Sequence, residues 1–221
     1  MLVKDADKIT GKLSQPSKMP GYSYNLPAWE CKVGALLRTI KKSVCFMCYA
    51  MRGRYVFPCT IKAMERRLKS LPHDLWVKAM AVSINSKAKF GHDCFRWHDS
   101  GDLQSMEHLE RIIDVCNLTP GVMHWLPTRE YKIIRDYMNS WRNVGITGTW
   151  KDIFPTNLVP RLSAHMIDGD APEIDGLPTS TVTSNHKPGK YVCPAPDQGG
   201  ECKSCRMCWD ANIKSIAYRA H

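Results

Sequence analysis

Residues 94–126 read CFRWHDSGDLQSMEHLERIIDVCNLTPGVMHWL. Cys94-Phe95-Arg96-Trp97 is strand-like, and His98-Asp99-Ser100-Gly101-Asp102 follows as a tight polar turn. Beyond the turn, Met106, Leu109, Ile113 and Cys116 share one face at helical spacing. Pro120-Gly121 breaks that pattern, and residues 122–126 are strand-like again. A strand, a helix and a second strand in this order predict a parallel pair joined by a right-handed crossover.

The same rhythm extends in both directions. Downstream, Thr128 is a candidate N-cap for a helix through Ile133, Ile134 and Met138, and residues 143–147, 158–166 and 180–184 read as further strands. Pro and Gly crowd residues 148–180, so those crossovers are expected to be loops rather than long helices. Upstream, Tyr22, Tyr24 and Leu26 alternate as a short strand, and residues 33–44 suit a short helix. Residues 60–71 form an amphipathic helix with Ile61, Met64, Leu68 and Leu71 on one stripe, and residues 74–83 suggest another helix. Six strands alternating with helices predict an α/β fold, either a parallel sheet or a barrel. The expected division is an N-terminal arm over 1–20, the α/β domain over 21–190, and a cysteine-rich segment over 191–221.

In such folds functional groups gather at the C-terminal ends of the strands. Cys31 follows the first strand, the 98–102 turn the second, and Thr128-Arg129 the third. His98, Asp99 and Asp102 could hold a cofactor amine or move a proton. They could equally form a hydrogen-bonded turn in which Asp102 caps the next helix. Arg129 suits a carboxylate or phosphate as a bidentate fork, and suits a packing role as well.

Of 221 residues, 43% are apolar, as in a folded chain. No apolar run approaches the roughly 20 residues a membrane span requires, and the N-terminus carries no export-type apolar segment. Ten cysteines without an export signal point to metal rather than to a disulfide framework. The net charge is +10, and residues 1–70 hold the whole surplus, with 14 Lys and Arg against 4 Asp and Glu. That asymmetry fits a nucleic acid or other polyanion, or simply a solvated basic face. Arg52 and Arg54 beside Tyr49 and Tyr55 have the composition of a single-strand nucleic-acid surface, or of a wrap around a metal centre.

Seven cysteines fall into two sets. Cys193-x8-Cys202-x2-Cys205-x2-Cys208 has the close thiolate spacing of a [4Fe-4S] cluster, with structural zinc as the alternative. Cys31-x13-Cys45-x2-Cys48 could hold a second cluster with one iron open, a zinc ion shared with His92, or no metal at all. One or two clusters are therefore expected. Cys94 and Cys116 fit a strand and a helix face as small buried thiols, and Cys59, at a helix start, is the spare candidate ligand. Trp97, Trp125 and Trp209 read as core or shielding rings, and neither His165 nor His186 has a spacing that singles it out.

At Cys45-Phe46-Met47-Cys48-Tyr49-Ala50, Gly53-Arg54-Tyr55, residues 95–102, Leu126-Pro127-Thr128-Arg129 and the terminal cysteines, the chain resembles the phage gene product 88-like family. That resemblance implies a viral protein of the host cytoplasm. Separately, a non-enzymatic or redox-sensing cluster protein would take nucleic acid or a host protein as its partner. More distantly, the chain is similar to the radical S-adenosylmethionine superfamily. This second resemblance implies an incomplete (β/α) TIM-like barrel with cysteine-rich loops at the C-terminal ends of its strands. It also implies that Cys31, Cys45 and Cys48 hold a [4Fe-4S] cluster and that Ser100, Gly101 and Asp102 meet S-adenosylmethionine. The thirteen-residue gap after Cys31 departs from that superfamily's compact spacing. The functions expected are a cluster-binding protein on this scaffold, a radical enzyme, or a zinc- or cluster-dependent nucleic-acid binder.

Overall fold

Cys94–Trp97 and Met123–Thr128 pair in parallel with Cys94 opposite Met123, and Met106–Asn117 is the helix between them. The computed structural model describes residues 1–184 and 191–220, which excludes His186. In chain order its elements are α1 (Val3–Thr10), β1 (Tyr22–Tyr24), α2 (Lys32–Leu37), α3 (Pro58–Ser70), α4 (Trp76–Ala88), β2 (Cys94–Trp97) and α5 (Met106–Asn117). There follow β3 (Met123–Thr128), α6 (Tyr131–Asn143), α7 (Trp150–Ile153), β4 (Leu158–Ile167), β5 (Thr179–Thr183), β6 (Tyr191–Val192) and β7 (Ser215–Arg219). All seven strands are parallel, in the order β1-β2-β3-β4-β5-β7-β6, and no pairing joins β1 to β6 among the described residues.

Alternation along β2 sends its side chains to two faces. Phe95 and Trp97 enter the main core with Trp76, Leu109, Ile112 and Ile134, between the sheet and its helices. Cys94 joins Trp125, Cys208, Trp209, Ile213 and Ile216 in a smaller cluster, so the C-terminal segment covers the other face. The helices start where the chemistry favours it: Pro58 opens α3, and the Ser105 hydroxyl accepts the His108 N–H at 3.1 Å as the N-cap of α5. No helix among the described residues is long and apolar enough to cross a membrane.

Several expectations need correction. Residues 143–147 are not a strand: Asn143 ends α6, and Gly145 at φ +91° closes it, a conformation a β-strand cannot use. The sheet instead gains β6 and β7 from residues 191–220. Residues 1–20 contain α1, with Ala6 and Thr10 buried and α4 packed against it. The helix after Cys31 spans only Lys32–Leu37. Thr128 ends β3 rather than capping α6, and Ser105 rather than Asp102 caps α5.

Candidate functional site

The ends of β1 and β2 are laced together. Leu26 N–H donates to Ser100 O at 2.9 Å, and the Ser100 hydroxyl donates to Leu26 O at 2.8 Å. Gly101, at φ +79°, passes so close that a Cβ there would stand 2.6 Å from the Leu26 Cβ. The glycine is thus required by a backbone crossing, and Ser100 is spent on the same crossing.

Cys31 precedes α2. The Glu130 carboxylate, itself buried, accepts the Val33 N–H at 2.9 Å in the first turn of that helix. Residues 42–44 then cross to the far end of β4, where Val44 N–H donates to His165 O and Ile167 N–H to Lys42 O, each at 2.9 Å. This crossing accounts for the thirteen-residue gap: the chain reaches β4 and returns Cys45 to Cys31. A methyl group added at Gly34 would lie 3.7 Å from both sulfurs and 2.8 Å from the Cys31 Cβ. Burial, then the negative Asp102, Cys45 and Cys48, push the Cys31 thiol well up. Burial likewise raises Cys45, while Arg129 pulls it back. After Cys48, two 3-10 turns, Tyr49–Met51 and Gly53–Val56, are clamped by Asp99. Its carboxylate accepts from Ser23 Oγ at 2.7 Å and Tyr55 OH at 3.1 Å, and its carbonyl accepts from Tyr49 OH.

Asp102 sits beneath these thiols. It accepts Leu103 N–H at 2.8 Å, Thr128 Oγ at 2.6 Å and Arg129 N–H at 2.9 Å. Burial raises its pKa and those three bonds oppose the rise. A carboxylate offers about four acceptor positions, so roughly one remains. Arg129 Nε donates to Ala164 O at 3.3 Å, and His165 stacks on Tyr131 at 4.3 Å beside it. His98 lies among core rings: it is 3% exposed and packs 5.3 Å from His108. The structure therefore brings Cys31, Cys45, Cys48, Asp102 and Arg129 together, gives Asp99, Ser100 and Gly101 holding roles, and sets His98 in the core.

The C-terminal thiols form a second group. Cys202 N–H donates to Lys18 O and Cys205 N–H to Cys202 O, each at 2.9 Å. The Cys202 thiol is raised by burial and by its neighbours Cys193 and Cys205. Cys208 is pushed up to about 11 by burial, although Tyr218 OH lies 3.1 Å from its sulfur. Trp209 Nε1 donates to Phe95 O at 2.9 Å. Arg96, on β2, stands between the two groups, 4.6 Å over the Trp125 ring and 3.5 Å from Tyr49 OH.

The model of the family described as gene product 88 matches residues 1–211. The chain belongs to that family. No curated protein and no solved structure matches it.

Among the described residues, no group of three or more His, Cys, Asp or Glu side chains is already set in metal-binding positions. The donor chemistry of the N-terminal set nonetheless fits a thiophilic centre. The Cys31 and Cys45 sulfurs flank the space left open at Gly34, and a metal cation would offset the burial and the neighbouring negative groups that raise the Cys31 thiol.

Sequence reasoning missed three charged residues in this gene product 88 protein: Glu130, Arg67 and Arg161. Arg161 is fully buried and donates to Thr179 O at 3.0 Å, Ile213 O at 2.9 Å and Asp210 O at 3.1 Å. Arg67, off the apolar stripe of α3, is buried, and its Nε donates to Lys12 O at 2.7 Å. Nothing in the spacing of these residues distinguishes them from surface charges.

Proposed function

We propose that this phage protein, acting in the host cytoplasm, carries a [4Fe-4S] cluster on Cys31, Cys45 and Cys48 and a second on Cys193, Cys202, Cys205 and Cys208. The seven parallel strands are read as an incomplete (β/α) barrel of the radical S-adenosylmethionine type. The observation that carries the reading is the return of Cys45 to Cys31 around Gly34, beside Asp102 and Arg129, at the C-terminal ends of the strands. It supports the three-thiol site despite its long gap.

Three thiolate ligands leave one iron of a cubane cluster open, and such a cluster supplies the electron that cleaves the sulfonium of S-adenosylmethionine. The chain's own part is to bind and exclude. Asp102 offers its remaining acceptor position to an amine. Arg129 offers positive charge to a carboxylate beside Cys45. The Tyr131–His165 stack lines the side nearest β4.

Anaerobic purification should give a brown protein with about eight irons and matching sulfide per chain. Cys45→Ser and Cys205→Ser should each remove about half. Stoichiometric zinc with negligible iron would end the cluster reading. Reduced protein given S-adenosylmethionine should release 5'-deoxyadenosine or methionine, and intact clusters without cleavage would leave the scaffold without the radical chemistry.

A further inference from the structure

Residues 32–69 carry ten Lys and Arg and a single acid, Glu65. Eight of the ten cations are exposed, and among the described residues none of the eight forms an ion pair. A surface of one sign with no internal neutralisation favours a polyanion. On α3, Lys62, Arg66 and Lys69 lie on one exposed face at helical spacing.

Large rings are exposed on the stretch of chain that leads into α3. Phe46 is 43%, Tyr49 46% and Phe57 53% exposed, so these rings face solvent instead of sealing the buried Cys45. Tyr49 and Tyr55 meet edge to face at 5.6 Å, and both hydroxyls are tied to Asp99. The Tyr49 ring is therefore held in a fixed orientation before any partner arrives, which lowers the ordering cost of stacking on it.

Open rings, one of them fixed, near an unpaired cationic track match a strand whose bases are unpaired, because a duplex keeps its base faces stacked inside. We propose that this surface binds single-stranded nucleic acid, with bases against Phe46, Tyr49 and Phe57 and phosphates along Arg52, Arg54 and the exposed face of α3. This inference stands apart from the cluster reading, since none of its contacts passes through a metal.

The test is an anisotropy titration of the full chain, prepared anaerobically, with a labelled single strand of about 12 nucleotides. The same sequence as a duplex and anionic phospholipid vesicles are run in parallel. The single strand should bind more tightly than the duplex or vesicles, and binding should weaken with salt. Phe57→Ser should weaken it by roughly five- to a hundredfold, the range for loss of one stacked base. Changing Lys62, Arg66 and Lys69 together to Gln should reduce the slope against log salt by about 2. Lys132→Gln, on the exposed face of α6, should change neither. Absence of binding at low salt would overturn the proposal. So would equal binding of duplex and strand with Phe57→Ser inert, or a preference for the vesicles.

Discussion

The two cysteine groups are built in different ways. The first is spread over residues 31–48 and depends on the sheet: Glu130 holds the first turn of α2 beside Cys31, β4 returns the chain to Cys45, and Asp99 clamps the two 3-10 turns beyond Cys48. The second is a loop ordered largely by its own turns, through left-handed Gly199, Gly200 and Lys203 and the Cys205-to-Cys202 backbone bond, with one tie from Cys202 N–H to Lys18 O. The sheet grips it mainly through Trp209 and Arg161. A site built by the fold keeps its shape without a ligand, whereas a self-ordered loop draws more of its order from the group it binds.

Acid offers the broadest way to break this distinction, because both groups share one core. His98, His108 and His124 are buried there, with His108 and His124 held down to about 3 by burial and His98 also well below its ordinary value. The unfolded chain takes up these protons near pH 6.5 and the folded one does not. Stability is thus full above pH 6.5 and lost as pH falls toward about 3. Each histidine contributes a loss of up to about 1.4 kcal/mol per pH unit. Asp102 and Glu130, raised by burial, work in the opposite direction and soften the loss. Urea unfolding from pH 7 to pH 5 should show a steep decline in midpoint, with both groups disordering together. A flat profile would mean these histidines are not held neutral.

Arg161→Met separates the groups. It removes the Arg161 donor from three carbonyls of β5 and the C-terminal segment, of which Asp210 O keeps the Ile213 N–H, at about 2–3 kcal/mol in total. Limited proteolysis should then cut residues 193–214 first, while the surroundings of Cys31 stay protected. Simultaneous cleavage of both regions would show that the C-terminal loop is not gripped at this point. Gly34→Ala acts on the other group. Its new methyl meets the Cys31 Cβ at 2.8 Å, and the strain of about 1–3 kcal/mol outweighs the helix-propensity gain of about 1 kcal/mol. Iron content should fall at the first group only, and unchanged iron in the variant would show that Gly34 does not shape that site.

The β2–α5–β3 unit was legible because aromatic strands and an apolar helix face alternate there without interruption. The strand-end position of Cys31, the 98–102 turn and Arg129 came from the same rhythm. Residues 143–147 misled because Val144 and Ile146 alternate around a glycine that in fact closes α6. β7 was hidden because its five residues lie beyond a cysteine-rich stretch with no period, and β6 is only two residues long. Glu130 and Arg161 could not be found from sequence, since charged side chains are ordinarily exposed and only tertiary carbonyl and amide partners explain these two. Nor could spacing alone show that the thirteen residues after Cys31 double back through β4.

The strand order carries a consequence for the growing chain. Among the described residues β6 touches the sheet only through β7, yet β7 is made after it and occupies the place between β6 and β5. During synthesis the β1–β5 layer can assemble while Tyr191 and Val192 have no strand to join. Cys193, Cys202, Cys205 and Cys208 all emerge in that interval, on a tether fastened at one end. Ser215–Arg219 then settles between β5 and β6, so a strand made after the four thiols completes the frame around their loop.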